Sequence, residues 1–218
     1  SSTCRNRRLQ QELEALSAFP AREHFRLDIY GRMLIDERRL RAQIRSLGLK
    51  QLVKLHGYVP EEELEEALSK AHLAINLRYP TMGEASASQL RIWKHALPSL
   101  VSRVGWYSTL PSEAVAFVEP ELEGPDIQKQ LDAFLADPAR FAGMGERGRR
   151  ILEDEHAPET YAQSIVEFVS RAQSFRTHAL ASRLAQRTGA LMSEWLGATI
   201  PERVAKKTAT EIAELTKR

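Results

Sequence analysis

The sequence predicts an α/β fold, a parallel sheet covered by helices, on three observations. Short apolar runs alternate with amphipathic stretches at helical spacing, several runs end at a glycine, and beyond Pro125 the strand-like runs give way to consecutive helices. With 218 residues and 43% apolar residues, the chain can bury one sizeable core.

The elements follow in order. Leu9, Leu13 and Leu16 recur at helical spacing over residues 6–17, and Pro20 closes that helix. Residues 25–30 alternate apolar and polar side chains up to Gly31, the pattern of a strand ending in a turn. Asp36 caps a helix bearing Leu40, Ile44 and Leu47, which stops at Gly48, and a second strand spans 51–56 before Gly57. Pro60 followed by three glutamates suits a helix start, and that helix runs to residue 71. A strand over 73–77, a polar loop, a helix over 86–96 and short strands over 100–102 and 115–118 complete the alternation. Helices are then expected over 127–136, 139–154, 158–174, 177–195 and 201–216. The expected division is a sheet domain over 1–155 and a helical extension over 156–218.

Composition narrows the function classes. The 31 basic and 29 acidic side chains leave a net charge of +2 and are interspersed, which argues against a general nucleic-acid binder. No apolar run approaches the roughly 18 residues of a membrane span, and no signal-peptide centre appears near residue 1, so a cytoplasmic location is expected. Cys4 has no second cysteine to pair with, and the six histidines show no ligand spacing, so neither disulfide nor metal is expected. Ser1 to Cys4 read as the end of a cut, which suggests a fragment. Neither a G-x-G-x-x-G fingerprint nor a Walker sequence is present, which disfavours dinucleotide and ATP sites.

In an open parallel sheet, ligands bind beyond the carboxyl ends of the strands. The residues there are Gly31 and Arg32, then Gly57, Tyr58 and Val59, then 78–88, then Gly105, Trp106 and Tyr107. The stretch Thr81-Met82-Gly83-Glu84-Ala85-Ser86-Ala87-Ser88 carries small residues into a helix start, where free amides suit an anion such as a diphosphate. Arg78, Arg7 and Arg8 could add charge-assisted hydrogen bonds to phosphate oxygens, while Glu84 suits sugar hydroxyls. Each feature has a plainer reading: Ser86 or Ser88 as a helix cap, the arginines as solvated surface, the glycines as turns.

Several motifs match a known family. Ile29-Tyr30-Gly31, Leu55-His56-Gly57-Tyr58-Val59-Pro60, Ala71-His72-Leu73-Ala74-Ile75-Asn76-Leu77-Arg78, the Gly83-Glu84 loop and Ala96-Leu97-Pro98-Ser99-Leu100-Val101-Ser102 resemble the C-terminal domain of the family-four GT-B glycosyltransferases. The stretches Leu77 to Glu84 and Val104-Gly105-Trp106-Tyr107-Ser108-Thr109-Leu110-Pro111 resemble a subgroup from bacterial surface-polysaccharide (O-antigen or capsule) clusters. The likeness covers roughly residues 5–170. It implies a Rossmann-like half of a GT-B fold that binds a nucleoside-diphosphate sugar. The base and ribose would lie near Gly57, Tyr58, Val59 and Arg91, and the diphosphate near Arg7, Arg8, Gly31, Arg78, Ala85, Ser86, Ala87 and Ser88.

By the same resemblance Glu84 and Arg7 are the catalytic pair, Arg7 standing at the family's lysine. No metal or other cofactor is implied. The activity implied is a hexosyl-type transfer to a glycan or lipid-linked acceptor, incomplete without an N-terminal Rossmann-like domain. It would take place in the cytoplasm, with peripheral association at the inner face of the plasma membrane. The helices after residue 155 resemble the crossover segment that packs on that other domain, so an exposed apolar face is expected. One departure stands out: Arg91 falls where the family's second glutamate should be, with the spacing one residue short. That departure motivates an alternative reading, a degenerate, non-catalytic transferase domain serving as a scaffold or docking module. A sugar-nucleotide epimerase with the same layout fits the 78–84 segment less well.

Overall fold

In the computed structural model, residues 8–32, 36–196 and 202–214 are described. The chain divides into two compact units, Ser1–Glu155 and His156–Arg218. The first runs α1 (Leu9–Ala18), β1 (Leu27–Tyr30), α2 (Glu37–Ser46), β2 (Val53–Gly57), α3 (Glu61–Lys70), β3 (Ala74–Asn76), α4 (Ala87–Lys94), β4 (Ser99–Ser102), β5 (Ala116–Val118), α5 (Glu123–Ala136) and α6 (Pro138–Glu155). Short 3-10 turns occupy Arg22–His24, Gly105–Thr109 and Pro120–Leu122. Capping explains two starts: Asp36 accepts from the Arg38 amide at 2.9 Å and opens α2, and Ser86 accepts from the Gln89 amide at 3.2 Å and opens α4.

All strand pairing is parallel, as an α/β fold requires. Among the described residues the expected parallel strands form two hydrogen-bonded groups, β1-β2 and β3-β4-β5. Alternation along the strands assigns side chains to two layers. Leu27, Ile29, Ile75, Leu100, Ala116 and Val118 face a core shared with Leu13 and Leu16 of α1, Leu40 and Ile44 of α2, Ile127 and Leu131 of α5, and Phe141 and Met144 of α6. Val101 and Phe117 face the other layer, around Trp93 of α4 and Tyr107. Strands β4 and β5 are buried on both faces; β5 is apolar throughout, and β4 sets Leu100 and Val101 between two buried serines, Ser99 and Ser102.

Two boundaries differ from expectation for local reasons. Helix α5 begins at Glu123 instead of residue 127, because Pro125 falls in the first turn, where a missing amide costs no intrahelical bond. In the second unit, the helices expected over 158–174 and 177–195 are one 39-residue helix, α7 (Pro158–Leu196), since no glycine or proline stands between the two stretches. Helix α8 (Glu202–Glu214) follows. Along α7, Tyr161, Ile165, Phe168, Val169 and Phe175 are all exposed, an apolar surface uncovered by any described residue. Among the described residues no helix is long and apolar enough to cross a membrane.

Candidate functional site

The loop after β3 is held by a set of short-range polar contacts. The Arg78 amide donates to Ser102 Oγ at 2.9 Å, tying the loop's first residue to the end of β4. The Arg78 side chain then turns outward, and its Nη1 donates to Glu84 Oε1 at 2.8 Å. The other carboxylate oxygen of Glu84 accepts from the Thr81 hydroxyl at 3.1 Å and from the Met82 amide at 3.0 Å. Gly83 supplies the turn, with φ of 86°, and its amide donates to Thr81 Oγ1. The adjoining loop presses close: a Cβ on Gly105 would lie 2.8 Å from Thr81 Cγ2 and 3.0 Å from Gly83 Cα.

These contacts set the charge state. The Glu84 amide itself, then the Arg78 guanidinium, the Thr81 hydroxyl and the Met82 amide, hold the Glu84 carboxyl down at about 2. At neutral pH it is therefore a carboxylate that accepts hydrogen bonds and cannot serve as a proton donor. Arg78 Nε is buried without a hydrogen-bond partner among the described residues, so that donor is unmet beneath the loop surface while Nη1 is engaged by Glu84.

Beneath the loop lies a buried polar chain that sequence reasoning missed. Asn76 Nδ2 donates to Gln89 Oε1 at 3.0 Å, and Gln89 Nε2 donates to Ser99 Oγ at 2.7 Å, linking β3, α4 and β4. All three residues are buried. The available signal was Ser86-Ala87-Ser88-Gln89, a capping-box spacing, beside an asparagine in an apolar strand. Here the Gln89 side chain is drawn into the core, where it bonds to Asn76 and Ser99.

Several expected site residues are placed otherwise. Arg7 lies outside the described residues. Arg8, at the start of α1, spends its Nε on both carboxylate oxygens of buried Glu123, at 2.8 and 2.7 Å, and its guanidinium sits 5.7 Å from the Tyr79 ring centre. It is thus a tether between α1 and α5 whose guanidinium lies beside Tyr79 of the loop after β3. Ser86 is buried with its hydroxyl engaged as the α4 cap, so its side chain is unavailable to a ligand. Ala85, Ala87 and Ser88 are exposed. Arg91, expected near ribose, donates to Glu61 at 2.9 Å and lies 3.5 Å from Glu65, binding α4 to α3. Lys94 and His95 also reach Glu65, whose pKa is lowered chiefly by the Lys94 hydrogen bond.

The β1 and β2 mouths form a second group. Gly31 and Gly57 both have positive φ, and the Gly31 amide donates to the Gly57 carbonyl at 2.7 Å. Tyr58 projects into solvent beside Arg32, and Val59 is half-buried. His56 bonds to Asp28 at 2.6 Å and stacks on Tyr30.

No family model matches the chain, and no curated protein matches it. Solved structures do. Similarity is found to HepE of Anabaena in complex with UDP, with TM-score 0.65 and 16% identity over 74% of this chain and 44% of that one. This is the fold of one Rossmann-like half of the GT-B glycosyltransferases. Sucrose-phosphate synthase of Thermosynechococcus elongatus gives TM-score 0.62 at 19% identity over 75% of this chain and 42% of that one. WaaG, a glycosyltransferase involved in lipopolysaccharide biosynthesis, gives 0.60 at 18% identity over 69% and 40%. The chain therefore spans less than half the length of each of these proteins.

Proposed function

We propose that this chain is the donor-binding half of a metal-independent glycosyltransferase, taking a nucleoside-diphosphate sugar and serving transfer of a hexosyl group to a glycan or lipid-linked acceptor in surface-polysaccharide synthesis. The observation that carries the reading is the loop after β3. It sets a guanidinium, a fixed carboxylate and the exposed start of α4 side by side at the carboxyl edge of a parallel sheet. The UDP bound in the HepE structure supports a nucleoside diphosphate as the ligand.

The chemistry follows from charge. As the bond between the sugar's anomeric carbon and the diphosphate oxygen breaks, negative charge gathers on the leaving oxygen. Arg78, the terminal nitrogens of Arg8, and the amides of Ala87 and Ser88 are the groups that would stabilise it. Glu84, fully ionised, would accept from sugar hydroxyls and orient the donor. Tyr58 and Val59 would flank the base. The acceptor and the remainder of the sugar pocket would come from an N-terminal Rossmann-like domain in a cytoplasmic enzyme, seated at the inner membrane face.

One observation favours the second reading, a non-catalytic docking module: Glu84 and Arg91 are both already satisfied by partners within the chain. Isothermal titration with UDP, GDP, TDP and ADP separates the two. On the donor-site reading one nucleotide binds selectively, and Arg78→Ala weakens it by about 10- to 100-fold, the worth of a charge-assisted hydrogen bond. Arg7→Ala weakens it too, while Glu84→Ala lowers affinity for the sugar nucleotide more than for the bare diphosphate. Absence of binding by all four nucleotides favours the docking module.

A further inference from the structure

Among the described residues, Glu123 is the one charged side chain that is almost wholly buried, with 4% of it exposed. It stands in the first turn of α5, where the helix dipole favours a carboxylate. The Glu119 amide, just past β5, fixes that turn by donating to Asp126 at 2.9 Å. Both oxygens of Glu123 accept from a single donor, Arg8 Nε. Taking two ions out of water is expensive, and an apolar pair of similar size would join two helices at least as well.

The join does not need the pair. Leu13 and Leu16 of α1 share a core with Ile127 and Leu131 of α5, and Gln128 Nε2 donates to the Ala15 carbonyl at 3.0 Å. With Arg8 on Glu123 at the two helix starts and Ala15 on Gln128 farther along, α1 and α5 run side by side in the same direction. The pair therefore sits at the end of both helices that lies toward the carboxyl edge of the strands.

What the pair fixes is the aim of Arg8. A guanidinium is planar and carries its donors in a rigid fork, so a carboxylate gripping Nε also sets the direction of Nη1 and Nη2. Among the described residues neither terminal nitrogen has an acceptor, and the guanidinium carbon lies 5.7 Å from the Tyr79 ring centre. Tyr79 directly follows Arg78, whose Nη1 is held by Glu84. Two arginines thus stand at the loop after β3, each gripped by its own carboxylate. Glu84 is exposed and can meet a ligand, whereas Glu123 is too buried to touch one.

We propose that Glu123 is a positioning residue for anion binding: it holds Arg8 beside the loop after β3 with both terminal nitrogens available to phosphate oxygens. Ordering a long arginine on binding costs side-chain entropy, and Glu123 removes most of that cost in advance. The inference rests on the donor-site reading for the place of the ligand and adds to it a residue that makes no ligand contact. Charge alone predicts the opposite effect. A carboxylate near an anion repels it, so its removal would then strengthen binding.

The test is calorimetric titration of the 218-residue chain with UDP and with inorganic diphosphate, a probe without a base. Glu123→Gln should weaken both by about 10-fold, the worth of a well-aimed charge-assisted hydrogen bond. In an Arg8→Ala background the same change should have no further effect on affinity, because Glu123 acts only through Arg8. Arg8→Lys keeps the charge and can still pair with Glu123, but its single nitrogen cannot serve carboxylate and ligand in a fixed fork. It should lose affinity by a similar factor while the unfolding midpoint moves little. Unchanged or tighter binding by Glu123→Gln overturns the proposal, as does a loss that persists undiminished beside Arg8→Ala. If Glu123→Gln fails to fold, Arg8→Lys decides, and full affinity in that variant rejects a positioning role. Binding that Arg78→Ala weakens and Glu123→Gln does not leaves the donor site standing and rejects this inference alone. Failure of the unaltered chain to bind either probe rejects both.

Discussion

The inner and outer faces of α4 and its entry loop are built on opposite principles. Inward, Trp93 is wholly buried, its Nε1 donates to the Ala114 carbonyl at 3.3 Å, and Gln89 completes the chain from Asn76 to Ser99. Outward, Arg78, Thr81 and Glu84 bond to one another at the surface and leave Met82 almost fully exposed. The inner face has no slack and the outer face has little burial, so stability should reside beneath the loop and ligand chemistry on it. Substitutions on the two sides should then separate folding from binding.

The largest effect is expected where α6 passes under α4. A Cβ on Gly145 would stand 1.9 Å from the Ala96 carbonyl oxygen, and one on Gly148 would stand 2.1 Å from Trp93 Cδ1. Neither neighbour is a mobile chain end. Gly145→Ala and Gly148→Ala should each cost about 3 kcal/mol or more, at the upper end for overpacking, read from urea unfolding midpoints. A loss below about 1 kcal/mol in both would show that the two helices are not in close contact.

Next in size is the polar chain. Gln89→Leu removes the acceptor for Asn76 and the donor to Ser99, leaving buried groups unpaired at a cost of about 1–3 kcal/mol. Replacing Asn76 and Gln89 together by leucine should cost less than the two single changes added, since fewer unsatisfied groups remain. Additive losses in a double-mutant cycle would mean the residues do not form a connected network.

How much of this was legible in the sequence depends on range. The strand and helix order could be read because alternation and helical spacing repeat within a few residues, with Asp36, Ser86, Gly31 and Gly57 as punctuation. Long-range partners left no such trace. Nothing near Arg8 announces Glu123, 115 residues away, and nothing near Arg91 announces Glu61. Glycine inside a helix ordinarily weakens it, and only the fold shows Gly145 and Gly148 to be sites of close approach. The loop after β3 could be placed from the strand before it and the helix after it, but the mutual pairing of Arg78 with Glu84 depends on a turn that only the folded backbone defines.

A smaller effect with the opposite sign is expected at Ala96, which ends α4 with φ of 50°, a left-handed conformation that a Cβ disfavours. Ala96→Gly should stabilise by about 0.5–1 kcal/mol, because relief of strain exceeds the added freedom of the unfolded chain. Thermal unfolding would show the rise. A fall would mean that the methyl group contributes packing the backbone strain does not outweigh.

The smallest effect on folding, and the sharpest test of the contrast, belongs to Glu84. Its carboxyl titrates at about 2 in the folded chain against an ordinary value of 4.5. A depressed folded pKa means that the contribution is fully present above the unfolded value, declines below it, and is lost as pH falls through about 2. The carboxylate is solvent-facing and screened, so Glu84→Gln at neutral pH should lower the unfolding midpoint only slightly, and that difference should vanish as pH falls through about 2. A carbon-detected titration of the Glu84 carboxyl should place its midpoint near 2; a midpoint near 4.5 would mean that Arg78, Thr81 and the Met82 amide do not grip it. The same variant should weaken sugar-nucleotide binding at neutral pH, since the carboxamide offers one acceptor where the carboxylate offers two. Loss of binding with little loss of stability is the signature that distinguishes a site residue from the scaffold beneath it.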